Sequence, residues 1–260
     1  MAEYDAVILA GGVNSGQLKQ YAPYDNEALI IIGSYPMIYY VYKAVRSSGK
    51  IRNIVISGPR QSLEEIFKKE QRLYFAAPGE DAIDSFANAR EVLQQVGSTE
   101  KILVLPTDIP LITTAAIDDF LERCEGSEAD FCYSIVGREV NEARFPGVRR
   151  TYVRIREGVF TGGNLFIVKA GVVDNCLEMA KKLVAKRKSP LALARLFGIG
   201  LAWKYLVRRL AIPDIEARFY EVLGIRGRAV ISPYAEVGVD VDKPSDLKLA
   251  EKYLGTTLPS

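Results

Sequence analysis

No histidine occurs among the 260 residues. That absence removes Ser-His-Asp and Cys-His catalysis and every His-ligated metal site. Cysteine is nearly as scarce. Cys124, Cys132 and Cys176 are odd in number and form no C-x-x-C pair, which points to a reducing compartment and away from a structural zinc. Long apolar runs are missing as well. The longest uncharged stretch, Ala28 to Tyr42, is interrupted by Gly33, Ser34 and Pro36 and is too short to span a bilayer. The chain opens Met1-Ala2-Glu3-Tyr4-Asp5, without a basic start or a signal-type apolar core, so a cytoplasmic protein is expected. Net charge is only +2, from 34 Lys and Arg against 32 Asp and Glu, and exerts no strong pull on nucleic acid or anionic membrane. No internal repeat or low-complexity segment is present.

What remains for chemistry is carboxylates, Lys, Arg, Tyr, backbone amides and a hard metal ion. Phosphoryl and nucleotidyl transfer suit that inventory, because they depend on positioning and charge neutralisation. The composition, 48% hydrophobic and 25% charged, is that of a globular chain large enough for one α/β domain.

Strand and helix signals alternate through the first half. Short apolar runs at 4–10, 53–57, 73–76 and 101–105 read as buried parallel strands. Helical spacing lies between them at 34–48, 63–69 and 81–96, with Asp81 placed to cap the last and Thr113 or Thr114 placed to cap a further helix. Beyond Asp130 the expectation is strands at 131–136, 151–155 and 164–168, with a polar loop around Pro146-Gly147. A mostly helical stretch follows over 172–223, containing the basic run Lys181, Lys182, Lys186, Arg187 and Lys188. Strand character returns at 228–231 and 236–241, and a last helix opens at Pro244. Such alternation predicts a mainly parallel, doubly wound sheet with helices on both faces.

Three constellations carry the chemistry. Ala10, Gly11 and Gly12 follow the first strand, where glycine lets backbone amides approach a phosphate. Ligands of open α/β sheets sit at that carboxyl edge. Asp108, in LPTDIP, follows a central strand on the same edge and is placed to hold Mg²⁺ against a nucleotide; a turn cap would put the same residue there. Asp240 and Asp242, in VDVDKPSD, share a face if the strand continues. They are a second source of metal ligands, with capping of the Pro244 helix by Asp242 and Ser245 as the structural counterpart.

In their order, AVILAGG, LVLPTDIPLIT, TGGNLFIV and VDVDKPSDL resemble the nucleotidyltransferases typified by the molybdenum-cofactor guanylyltransferase-like enzymes. Cytidylyltransferases and sugar-phosphate nucleotidylyltransferases are related to them. The motifs run from Ala6 to Leu247. The resemblance implies the glycosyltransferase A-type fold over 1–260, with 172–223 as a helical insert, and a Mg²⁺-dependent reaction. In it, a phosphorylated small molecule attacks a nucleoside triphosphate and pyrophosphate leaves. It further implies nucleotide contacts from Ala10, Gly11, Gly12 and Asp108, metal ligation by Asp108 and Asp240, and an acceptor-facing loop at Gly162, Gly163 and Asn164.

The first loop departs from the family. Its usual arginine is absent, and Glu27 stands at the usual lysine position. Lys19 is the cation left in that loop, so it is expected to make a catalytic phosphate contact alongside Asp108. Arg149, Arg150, Arg154 and Arg156 are possible replacements from the second half, with a solvated strand face as the alternative. An acid at the lysine position favours a rival expectation, a nucleotide or nucleotide-sugar binding protein without catalysis. A glycosyltransferase is a third. Nucleic acid and membrane are not expected as partners; a homo-oligomer is compatible with the helical stretch.

Overall fold

The computed structural model describes residues 4–68, 70–174, 181 and 198–255. In chain order the first half comprises β1 (Tyr4–Leu9), α1 (Gly16–Tyr21), β2 (Ile31–Ile32), β3 (Tyr35–Pro36), α2 (Met37–Arg46), β4 (Ile51–Ser57), α3 (Arg60–Ile66), β5 (Leu73–Ala76), α4 (Ala82–Gln95), β6 (Lys101–Pro106) and α5 (Thr114–Cys124). The second half comprises β7 (Phe131–Gly137), α6 (Arg138–Arg144), β8 (Val153–Ile155), β9 (Gly158–Lys169), α7 (Ile199–Leu206), α8 (Ile212–Leu223), β10 (Gly227–Ser232) and α9 (Pro244–Leu254).

The main sheet runs β10-β7-β9-β6-β1-β4-β5, with β8 paired to β9. Strands β5, β4, β1 and β6 are mutually parallel, as are β10 and β7, while β9 is antiparallel to both β6 and β7. The mainly parallel α/β sheet expected from the alternating elements is therefore present.

Strand β1 is apolar on both faces because both are covered. Tyr4, Ala6 and Ile8 face one core with Val41 and Val45 of α2 and Ile117 and Phe120 of α5. Val7 faces a second with Phe86, Ala89 and Leu93 of α4. Period-two alternation thus splits one strand between two helix layers. Leu9 lies opposite both Ser57 and Pro106, so the loops after β1, β4 and β6 leave the sheet at one level. A third core, containing Leu18, Ile30, Met37, Val239, Val241, Leu247 and Ala250, sits beneath those loops and joins α9 to them.

Local signals set the helix ends. The Asp81 carboxylate accepts from the Ile83 and Asp84 amides, and the Thr113 hydroxyl accepts from Ala116. Three expectations are corrected. Residues 138–144 form α6 where a polar loop was expected. The 236–241 stretch is not a strand: Ala235–Gly238 is a 3₁₀ turn followed by extended backbone. Neither Asp242 nor Ser245 caps α9, whose N-cap residue is Lys243, with no side-chain capping bond. Instead the Asp246 carboxylate accepts from the Asp242 amide at 3.3 Å.

Much of the helical stretch expected at 172–223, with Lys182, Lys186, Arg187 and Lys188, lies outside the described residues. Its described end docks on the sheet. Phe219 of α8 stacks on Phe131 with ring centroids 5.5 Å apart, and the Glu216 carboxylate accepts from the Ala229 amide at 2.9 Å.

Candidate active site

The loop after β1 is closed into a ring by its own polar groups. Asn26 donates from Nδ2 to the Ala10 carbonyl at 2.9 Å and accepts at Oδ1 from the Ala28 amide at 2.8 Å. The Glu27 amide donates to the Gly12 carbonyl at 3.1 Å, and the buried Asn14 donates to the Ala22 and Tyr24 carbonyls. Among the described residues the amides of Gly11 and Gly12 donate to nothing, so they remain available to an acceptor. Close approach requires glycine at position 11, which lies against the Pro78 ring, whereas Gly12 meets only the Glu27 side chain. A Cβ on Gly11 would stand 2.9 Å from Pro78 Cβ, and one on Gly12 would stand 2.6 Å from Glu27 Oε2.

Asp108 leaves the end of β6 on the same edge. Its carbonyl accepts from the Val241 amide at 2.7 Å, tying the 239–242 segment to the β6 loop. Val239 and Val241 are buried in the third core, and alternation turns Asp240 and Asp242 the other way. One carboxylate oxygen from each of Asp108, Asp240 and Asp242 lies within 4.8 Å of the others. Asp108 Oδ1 is fully buried and has no hydrogen-bond partner among the described residues.

Crowded carboxylates in low dielectric resist ionisation. Burial pushes Asp108 up to about 8, reinforced by the charges of Asp240, Asp242 and Glu27. Burial also raises Glu27, with Asp242 and Asp240 adding to it, and raises Asp242, with Asp240 beside it. These groups titrate as a set rather than singly.

Arg150 counters part of this charge. Its guanidinium is 3.0 Å from an Asp240 carboxylate oxygen and 3.9 Å from Asp246, and it donates to the Gly238 and Asp240 carbonyls. Of the four arginines considered from the second half, Arg150 is the one whose ion pair lies in this cluster. Lys19 points elsewhere, pairing with the exposed Asp25, whose carboxyl its hydrogen bond holds below the usual value. Gly162 and Gly163 lie within β9, where a Cβ would clash with Tyr133 and Ser134 respectively, and Asn164 donates to the Val237 carbonyl at 3.1 Å. Asn164 thereby braces the turn that delivers Asp240. Glu27, at the position where a lysine is usual, has no cation beside it among the described residues; the charges of Asp242 and Asp240 add to the rise of its carboxyl. The sequence signal was the acid itself, in a loop otherwise suited to phosphate.

A free-amide glycine loop and a carboxylate trio thus share one strand-end edge. The family model for the MobA-like NTP transferase domain matches residues 6–195. The chain belongs to the MobA-like NTP transferase family. As a member it resembles, at 33% identity and a TM-score of 0.78, a hypothetical transferase from Thermus thermophilus, with 94% of this chain and 99% of that one covered. It is also similar to a CMP:2-keto-3-deoxy-manno-octonic acid synthetase solved with CTP (14% identity, TM-score 0.62, 99% and 100% covered). A 4-diphosphocytidyl-2C-methyl-D-erythritol synthase from Anaerococcus prevotii (11%, 0.62, 97% and 98%) is comparable. At those identities the last two likenesses are of fold. No curated protein matches the sequence. No helix among the described residues is long and apolar enough to cross a membrane.

Proposed function

We propose that this NTP transferase domain moves a nucleoside monophosphate from a triphosphate to a phosphorylated small molecule. An acceptor phosphate oxygen bonds to the α-phosphorus, the bond from that phosphorus to the bridging oxygen breaks, and pyrophosphate leaves. The reading rests on one observation: the buried Asp108 Oδ1, without a hydrogen-bond partner among the described residues, stands among Asp240 and Asp242 at the same edge as the Gly11 and Gly12 amides, which donate to none of those residues. All-oxygen donors crowded together suit a hard divalent cation, so Asp108, Asp240 and Asp242 fit Mg²⁺. Bound there, Mg²⁺ would neutralise triphosphate charge.

The chain's own groups do the rest. Ala10, Gly11 and Gly12 line the phosphate path with backbone. Lys19 gives up only a solvent-exposed pair with Asp25 to reach a phosphate. Gly162, Gly163 and Asn164 form the acceptor side. An acceptor phosphate is already ionised, so no general base is required. Residues 1–260 act as one nucleotidyltransferase-like unit with 172–223 as an insert, in a reducing cytoplasm that suits the odd cysteine count.

A second reading has its own observation. Glu27 adds a fourth carboxylate where a triphosphate would lie, which favours a binder that has lost transfer. Screening all four triphosphates with Mg²⁺ and a panel of phosphorylated acceptors, by thermal shift and pyrophosphate release, separates the two. A shift with release supports the transferase; a shift without release supports the binder.

A further inference from the structure

Seven consecutive residues, Trp203 to Arg209, are exposed, and none of them is acidic. They form the end of α7 and the turn after it. Trp203 is 64% and Leu206 73% exposed, and Tyr205 and Val207 stand in the same run. Exposed apolar groups gathered in this way mark a surface that meets a partner. Backbone bonds tie the turn to the β8–β9 hairpin. The Arg156 amide donates to the Leu210 carbonyl at 2.8 Å, and the Ile212 amide donates to the Glu157 carboxylate at 3.2 Å. That hairpin adds the exposed Val153, Arg154 and Arg156. Lys204 is paired with Asp214 at 2.6 Å, whereas Arg154, Arg156, Arg208 and Arg209 have no ion pair among the described residues. A net charge of +2 conceals this basic face, because acids elsewhere in the chain balance it.

The mixture of side chains selects the partner. Unpaired guanidinium groups suit anions, but Leu206 and Val207 gain little from a purely polar polyanion. A second copy related by a two-fold axis would set Arg208 and Arg209 against their own equivalents. Anionic headgroups above hydrocarbon answer to both halves of the mixture. Trp and Tyr rings settle at the headgroup level, Leu206 reaches the acyl boundary, and the arginines meet the lipid charge. With eight residues, α7 is too short to cross a bilayer and suits the interface plane instead. We propose that the face built by α7 and the β8–β9 hairpin docks this protein on an anionic lipid bilayer. The inference depends on neither the metal assignment nor the transfer reaction.

Trp203 is the sole tryptophan, so its fluorescence reports on this face alone. The full chain is titrated with vesicles of phosphatidylcholine, and of phosphatidylcholine mixed equally with phosphatidylglycerol, with co-sedimentation as a second readout. The anionic vesicles should bind the protein and shift Trp203 emission to shorter wavelength, and phosphatidylcholine alone should bind far less. Arg208→Gln combined with Arg209→Gln should weaken binding about tenfold or more, and Leu206→Ser should weaken it and reduce the shift. Circular dichroism confirms that the variants are folded. No binding to the anionic vesicles, binding without a change at Trp203, or wild-type affinity in both variants overturns the proposal. So does a dimer in sedimentation velocity that Leu206→Ser dissociates while vesicles stay unbound, since a second copy then covers the face.

Discussion

Two aspartates sit at opposite ends of the same sheet, and their surroundings differ in kind. Asp5, at the start of β1, is completely buried. Its carboxylate accepts from the Asn53 amide and side chain at 3.1 and 3.0 Å and from the Thr99 amide at 2.6 Å, with Arg52 at 3.6 Å. Asp108, at the end of β6, has a buried oxygen with no hydrogen-bond partner among the described residues, and the charges of Asp240, Asp242 and Glu27 act on it. Burial alone therefore says little about function. A carboxylate whose acceptor capacity is filled holds the fold together, whereas one left unfilled and beside like charges is kept at a thermodynamic cost and marks a binding site.

The contrast breaks most visibly in stability. Asp5→Ala strands the donors of Asn53 and Thr99 and should cost about 3–5 kcal/mol in urea unfolding. Asp108→Asn should leave the metal-free protein as stable as wild type or more so. Equal destabilisation by both would erase the distinction. Arg150→Ala comes next. It removes a largely buried guanidinium that ties Asp240 and Asp246 to the 238–240 backbone, and should cost about 1.5–3 kcal/mol and weaken Mg²⁺ binding by loosening Asp240.

A smaller effect appears with pH. Because Asp108 titrates near 8 when folded and near 3.9 when unfolded, its protonated form favours the native state. Its contribution is complete below about pH 4 and disappears as pH rises through about 8. Metal-free protein should therefore lose stability progressively between those limits, and Asp108→Asn should flatten the slope. Added Mg²⁺ should stabilise wild type more at pH 8 than at pH 5. The smallest change is a control far from the cluster: Asp81→Ala removes two capping bonds and should lower stability by about 1 kcal/mol without altering metal affinity.

Which of these features the sequence revealed follows from how local their causes are. Strand β1 and the caps at Asp81 and Thr113 depend on a few consecutive residues, so pattern and propensity were enough. The strand-end edge carrying Gly11, Gly12 and Asp108 followed from alternating elements, which force parallel strands to emit their loops on one side. The Asp5 network was not legible, because its partners are 48 and 94 residues away. The 236–241 segment misled because alternating valines and acids suit an extended chain as well as a strand; no neighbouring strand pairs it, and Val239 and Val241 are buried by α9 instead. Glu27 read as a misplaced charge. Its setting depends on Asn26 closing the loop and on Val241 docking on Asp108, contacts that no local pattern encodes.

The central claim is that this carboxylate cluster binds a nucleoside triphosphate through a divalent cation. Calorimetric titration of a triphosphate into wild type at pH 8, with Mg²⁺ and then with chelator, tests it most directly, and Asp108→Asn serves as the reference. The account predicts binding with Mg²⁺, none detectable with chelator, and none in Asp108→Asn under either condition. Equal affinity with and without the ion, or wild-type affinity in Asp108→Asn, would contradict it.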